Sequence, residues 1–362
     1  HQGWTEDELA SRTLFTTHTP VPAGHDRFAW SEVEQILGSN LPHDTKAKVG
    51  GEKCSMSHLA AHYAGEVNAV SILNSEVAAE MYPDINIHPV TNGVHHLTWT
   101  APAMQEMLDE HLSGWRTDSS LFSQCVNLPD EALLTARRRC RTVLIDLVRA
   151  STGVELDPDY LTIGFARRFA TYKRADLVFQ DLERLLEIGE GRIQFVFAGK
   201  AHPRDEEGKT LIKNVFDANR ALKGRIKVAF LENYSMTVGL AMTSGVDIWL
   251  NNPVRPMEAS GTSGMKATLN GVPNCSILDG WWPEACEHGV NGWAIGGTEE
   301  NRDDERDAKA VLDTLENEVL PAWDAKEKVW LELSKRAMAS GAGFTAARMI
   351  EDYLKFYNAF GN

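Results

Sequence analysis

From about residue 160, short apolar runs alternate with stretches of helical periodicity, and few folds accept that pattern. Residues 161–166 (LTIGFA) and 193–198 (IQFVFA) are uncharged runs of strand length. Residues 226–231, 246–250 and 274–278 read as further strands, the last closing the series. Between them, residues 173–188 set Leu177, Leu182, Leu185 and Leu186 along one side of a helix, and residues 206–222 and 236–242 also carry helical spacing. Strands of five or six residues separated by helices are joined by crossovers, so the pattern predicts βαβ units and a parallel, doubly wound α/β sheet.

The first 150 residues are less regular. Residues 14–17, 70–73 and 87–90 read as strands, each followed by a loop rich in Thr, Pro, Gly, Asn or His. An α/β fold places its chemistry in such loops, at the carboxyl ends of strands. Residues 101–160 read as mostly helical and able to bridge two domains; residues 299–307 read as a charged, solvated loop, and residues 308–358 as helical.

Composition narrows the function classes. The net charge of −15 argues against a general nucleic-acid binder, while leaving room for a local pocket of Arg and Lys. No apolar run is long enough to span a membrane. Cys54, Cys125, Cys140, Cys275 and Cys286 are scattered and odd in number, without CxxC spacing, so neither a disulfide framework nor a zinc site is expected, and a reducing cytoplasm is the simplest compartment. The chain opens at His1 with no initiating Met and no basic-plus-apolar leader, as a fragment or processed product would.

Two segments carry candidate chemistry. Residues 257–266 read MEASGTSGMK, with Ser260, Gly261, Thr262, Ser263 and Gly264 in succession. Small and hydroxyl residues let backbone N–H groups approach an anion, and a helix over 265–271 is expected behind them, carrying Lys266. Spacing alone leaves Lys266 either a surface lysine after an ordinary cap or an anchor beside an anion. Residues 166–174 (ARRFATYKR) follow the 161–166 strand and gather Arg167, Arg168, Lys173 and Arg174, either as an anion clamp or as a solvated helix start.

Other motifs carry less. Adjacent His95 and His96 have no third ligand at metal spacing. His58 and His62 lie four apart without a following Glu, and read as core or surface. Trp281 and Trp282 read as buried packing. Gly208-Lys209-Thr210 lacks the first glycine of a phosphate loop, and no GxGxxG occurs.

The residues also carry a resemblance. EASGTSGMK closely resembles EASGTGNMK, the cofactor-lysine signature of the α-glucan (glycogen, starch, maltodextrin) phosphorylases. RRFATYKR resembles that family's phosphate-binding segment; AFLENY (229–234), FVFAGKAHP (195–203), FTTHTPVPAG (15–24) and VTNGVHHLTW (90–99) resemble further blocks, all in family order. The TPVPAG and TSGMK forms resemble the shorter bacterial and archaeal branch. The resemblance implies two Rossmann-like domains facing a cleft, the GT-B arrangement, with the first domain incomplete. It implies pyridoxal 5'-phosphate as cofactor, joined to Lys266 as a Schiff base. Gly261, Thr262, Ser263 and Arg167 would hold the cofactor's phosphate, and Tyr234 would pack on its ring. Arg168 and Lys173 would bind the substrate phosphate. Tyr172, Glu258, Ser260 and Gly261 would contact glucosyl hydroxyls, with His18 and Asn92 near O6. The sequence departs from the signature at Ser263-Gly264, where the family has Gly-Asn.

The implied reaction transfers the terminal α-1,4-linked glucosyl unit of a glucan to inorganic phosphate, giving α-glucose 1-phosphate. No pair of carboxylates stands out for hydrolysis, and the reaction needs none: a phosphate monoester's second pKa, about 6, suits proton shuttling near neutral pH. The implied division is 1–105 for the end of the first domain, 106–160 for a helical connection, 161–330 for the cofactor domain and 331–362 for terminal helices packing back. Family members carry further residues ahead of this region, including a glycine-rich loop, so weak or absent activity is expected of the chain alone unless another polypeptide completes it; a homodimer stays open. The alternatives are a non-catalytic fragment of such an enzyme, or a nucleotide-sugar-dependent glucan synthase of the same fold, which needs no Schiff-base lysine.

Overall fold

The computed structural model describes residues 3, 5–325 and 327–359. His1 and residues 360–362 of the terminal segment lie outside them.

The chain forms two parallel sheets. The first contains β1 (Leu14–Thr17), β4 (Glu66–Ala69) and β5 (Ile87–Pro89) in the order β1-β4-β5, with β2 (Arg27–Ala29) and β3 (Lys53–Ser55) pairing antiparallel beside it. The second contains β6 (Leu161–Ala166), β7 (Ile193–Ala198), β8 (Lys227–Leu231), β9 (Ile248–Asn251), β10 (Asn274–Ile277) and β11 (Gly292–Ile295). Its order is β11-β10-β9-β6-β7-β8, every pair parallel. Counted from β6, this is the Rossmann order, and it reverses between β6 and β9.

The apolar runs become strands because both faces of this sheet are covered. Successive side chains point to opposite faces. Ile193, Phe195 and Phe197 of β7 therefore enter one core with Ile163, Phe165, Leu185 and Leu222, while Val196 and Ala198 enter the other with Trp249, Val246 and Leu144. Leu144 lies on the long helix Asp130–Thr152, which starts with Asp130 and Glu131 at its positive end and stops at Gly153 in the left-handed region (φ 73°).

Several expectations needed correction. Residues 173–188 are not one helix. Short 3₁₀ turns cover Thr171–Lys173 and Leu177–Phe179, and an α-helix starts only at Leu182. Arg174 takes φ 49° between the turns, and the Asp181 side chain caps the later helix by accepting from the Arg184 N–H at 3.0 Å. The strand expected at 70–73 lies four residues earlier, as β4. Ser71 then caps the helix Ile72–Met81, its hydroxyl accepting from the Asn74 N–H at 3.1 Å. The signature helix is Thr262–Thr268 rather than 265–271. The charged stretch 299–307 becomes helical at Asp304, capped by Asp303. The series closes with β11, not β10.

The two sheets are tied directly. Ser71 Oγ donates to Ala259 O at 2.7 Å. Glu284 accepts from the Ile72 N–H at 2.8 Å and from Thr91 Oγ1 at 2.7 Å. Asn270 accepts from the Ala101 N–H at 2.8 Å and donates to Trp99 O at 2.6 Å. The final helix, Ala346–Ala359, reaches back to the first sheet, where Asn68 Nδ2 donates to the Tyr353 hydroxyl at 3.1 Å.

Candidate functional site

In an open parallel sheet the loops at the switch point splay apart and leave a crevice at the strands' carboxyl ends. Here β6 ends in Arg167 and Arg168, and β9 ends in Asn251 and Asn252. Across the crevice the Arg167 guanidinium donates to Asn251 Oδ1, whose amide is steadied by donating to Ser276 Oγ at 3.0 Å.

Arg167 also meets Glu258 at 2.6 Å, and Lys173 meets the same carboxylate oxygen at 2.7 Å. All three side chains are buried. Burial by itself would raise the Glu258 carboxyl, but the charges of Arg167 and Lys173 outweigh it and hold it at about 2. Burial, with repulsion from Arg167, draws the Lys173 amine down to about 8 against the pull of Glu258. Removing one member of such a buried set costs about 3–5 kcal/mol, since it strands the others' charge.

The loop carrying Glu258 is fixed from beneath. Asp279, wholly buried, accepts from the Glu258 N–H at 2.9 Å and the Gly280 N–H at 2.8 Å. Burial pushes its carboxyl up to about 7. Gly261 then enters the left-handed region (φ 84°) and opens the helix Thr262–Thr268 without a capping side chain. Ser263 accepts from Trp249 Nε1 at 3.2 Å, and buried Ser260 Oγ has no protein partner among the described residues.

Gly264, one of the two positions that depart from the family signature, has no room for a side chain. A Cβ there would lie 2.4 Å from Asn274 Oδ1 and 3.0 Å from the Trp281 ring, and Asn274 Nδ2 donates to Gly264 O at 3.2 Å.

A cavity of about 320 Å³ is lined by Arg167, Arg168, Tyr172, Lys173, Glu258, Ser260, Gly261, Thr262 and Ser263 from the second sheet's loops, and by His18 and Asn92 from the first's. A wider cavity of about 1080 Å³ continues past His18, Arg168 and Tyr172 to Tyr234. Lys266 is not among the residues lining either. It stands behind the turn, half-buried, with Nζ 3.7 Å from the centre of the Trp99 ring. Burial lowers its amine, and no carboxylate pairs with it among the described residues.

The residues present fit an anionic aldehyde cofactor. A partly dehydrated amine without a counter-charge is a better nucleophile toward a carbonyl. The turn Gly261–Ser263 offers uncapped backbone donors, and Arg167 stands across from it. The Tyr234 hydroxyl and the Trp99 ring approach one another over Gly239, where a Cβ would lie 2.7 Å from the one and 3.5 Å from the other.

Of the four clustered cations, Arg167, Arg168 and Lys173 face the cavity and Arg174 does not. Arg174 is buried, donating to Asn252 O at 3.0 Å and Pro253 O at 2.7 Å and pairing with Asp304 and Asp307 at 3.0 and 2.7 Å. Sequence reasoning gave Trp99, Asn251 and Asp279 no role in the site, and it grouped Arg174 with the clamp although that side chain serves the fold. Trp99 lay inside a quoted block, whereas Asp279 and Asn251 gave no local signal. Among the described residues no His, Cys, Asp or Glu cluster could hold a metal, and no helix is long and apolar enough to cross a membrane. Trp281 and Trp282 are buried, and all five cysteines are free. Gly208 to Thr210 lie on the helix Glu206–Leu222.

Comparison with known proteins agrees with this geometry. The family described as carbohydrate phosphorylase matches residues 43–291. The chain is 41% identical to the maltodextrin phosphorylase of Thermococcus litoralis, over 96% of this chain and 46% of that protein. It is 37% identical to a glycogen phosphorylase of Mycobacterium tuberculosis, over 97% of this chain and 47% of the relative. With the Aquifex aeolicus glycogen phosphorylase the figures are 36%, 97% and 58%. The chain thus spans about half the length of these relatives. With its family blocks set around one crevice and the family match covering most of its length, this chain belongs to the carbohydrate phosphorylase family.

Proposed function

We propose that the chain carries the cofactor half of a glucan phosphorylase, which moves the terminal α-1,4-linked glucosyl unit of a glucan to inorganic phosphate and releases α-glucose 1-phosphate. What carries this reading is the convergence of Arg168, Lys173 and the Ser260–Ser263 turn on one cavity whose far side holds His18 and Asn92. Candidate oxyanion-binding groups and candidate sugar-binding groups thus line one cavity of about 320 Å³.

Pyridoxal 5'-phosphate, joined to Lys266, supplies a phosphate that can exchange a proton near neutral pH. Gly261, Thr262, Ser263 and Arg167 would hold that phosphate, and Tyr234 and Trp99 would pack about the ring. Arg168, exposed on the cavity wall, and Lys173, charged below about pH 8, bind the substrate phosphate and offset its repulsion by the cofactor's. Glu258 stays ionised and keeps Arg167 and Lys173 in place through its carboxylate. With Tyr172, Ser260 and Gly261 it contacts the glucosyl hydroxyls, while His18 and Asn92 bind near O6. Positioning and electrostatics, rather than a pair of carboxylic acids, lower the barrier.

We further read residues 1–105, 106–160, 161–330 and 331–362 as the end of a first Rossmann-like domain, a helical connection, the cofactor domain and the returning terminal helices. A cytoplasmic setting accords with five unpaired thiols. The test is phosphate-dependent release of glucose 1-phosphate from maltodextrin by the protein loaded with pyridoxal phosphate, alone and with a complementing amino-terminal polypeptide. Glucose release without phosphate, or glucosyl transfer from a nucleotide sugar, would overturn the reading.

A further inference from the structure

The loop bearing Asn92 is held by a helix from the far end of the chain. Arg348, on the helix Ala346–Ala359, donates through one nitrogen to both Thr91 O at 2.7 Å and Asn92 O at 2.9 Å. Its other nitrogens are committed too: Nε donates to Gly343 O at 2.8 Å, and Nη1 pairs with Asp352 at 2.8 Å. The guanidinium plane is thus fixed by its own helix and by the turn Gly341–Phe344 before it reaches the loop.

The backbone continues the junction. Val94 N–H donates to Phe344 O and Ala346 N–H to Val94 O, both at 2.9 Å. Gly93 permits the approach, since a Cβ there would lie 2.1 Å from Thr345 O. On the loop's other side the Thr91 hydroxyl donates to Glu284. Asn92, which faces the cavity, sits between these attachments, and the Asn92 N–H to Val70 O bond at 3.0 Å is its link to the first sheet.

We infer that Arg348 is a positioning residue: by gripping the carbonyls of Thr91 and Asn92 from the terminal helix, it sets the Asn92 side chain that receives the sugar's hydroxymethyl group. This rests on the proposed function, because it needs a glucosyl unit whose C6 end lies toward Asn92. Two charge-assisted bonds to carbonyls define the loop's height as well as its attachment. A shift of the loop by about 1 Å would misplace the amide against a hydroxyl, and polar sites discriminate steeply when such a contact fails.

The experiment compares binding of α-glucose 1-phosphate and α-xylose 1-phosphate, which differ only in the C6 hydroxymethyl group, by calorimetry on the pyridoxal-phosphate-loaded protein. Wild type and Arg348→Met are compared, and amide hydrogen exchange is followed in both at residues 91–94 and in β6. The expected result is a preference for glucose 1-phosphate that falls about tenfold in the variant, with faster exchange at 91–94 and unchanged protection in β6. A merely structural arginine would weaken both sugars equally. An unchanged preference in a folded variant overturns the inference and leaves the proposed function standing. A wild type that binds both sugars alike, or neither, overturns the two together. If Arg348→Met does not fold, Arg348→Gln replaces it, and a retained preference there overturns the inference equally.

Discussion

The Lys266 amine stands 3.7 Å above the Trp99 ring, an arrangement that joins an amine on the second unit's signature helix to an aromatic ring from the block that follows the first sheet. Such a contact stabilises a charged amine by about 0.5–2 kcal/mol, while burial works against the charge and lowers the pKa. The amine is therefore held ready rather than locked in an ion pair. Borohydride reduction of the protein mixed with pyridoxal phosphate should leave a stable mass increment on the peptide that contains Lys266. Lys266→Ala should abolish it, and an increment on another lysine in wild type would contradict the anchor.

Lys173 should impose an alkaline limit on phosphate binding. Its amine, drawn down to about 8 in the folded protein, is charged below that pH and neutral above it. Affinity for inorganic phosphate should hold at pH 7 and fall as pH rises through 8 to 9. Lys173→Arg, whose charge persists at every working pH, should flatten that fall even if it binds about tenfold more weakly. Calorimetric titration with phosphate at three pH values gives the comparison.

Asp279 should leave a signature in stability. Its pKa, raised by burial to about 7, means that the folded state holds a proton the unfolded carboxyl has released. The contribution is fully present below about pH 3.8, the ordinary value for an aspartate, and is lost as pH rises through 7, on the order of a few kcal/mol. Asp279→Asn should cost about 1 kcal/mol at pH 5 through a lost acceptor and reduce the slope between pH 4 and 7. Urea unfolding across that window measures it; an unaltered slope would rule the assignment out.

Arg174 should matter to the fold rather than to ligand binding. Arg174→Met strands the carbonyls of Asn252 and Pro253 and leaves Asp304 and Asp307 facing an apolar chain. The expected loss is about 3 kcal/mol, with phosphate affinity of the folded fraction within about twofold of wild type. Urea unfolding paired with phosphate titration separates the two effects.

How much of this was readable beforehand depended on range. Residues 161–166 and 193–198 announced themselves because strands buried on both faces leave long apolar runs. The signature turn at 257–266 was legible because an anion loop demands small and hydroxyl residues in succession. The 173–188 stretch misled, since its leucines do face the core, but from a 3₁₀ turn that follows the left-handed Arg174 and from a later helix that starts at the Asp181 cap. The strand expected at 70–73 slipped by four residues because Val70, Ile72 and Leu73 are apolar on either side of a helix cap at Ser71.

What the linear chain determined by itself was its alternation of strand and helix, its family and the chemical type of its site residues, since each of these is written in residues close together. Folding alone decided that Arg174 turns away from its three cationic neighbours, that Asp279 braces Glu258, that Asn274 fills the space beside Gly264, and that Arg348 reaches back across some 250 residues to the Asn92 loop. Those pairings join distant segments through the switch point and the returning helix. Hydrogen-bond and ion-pair partners of that kind depend on where backbones come to rest, a property that no local spacing encodes.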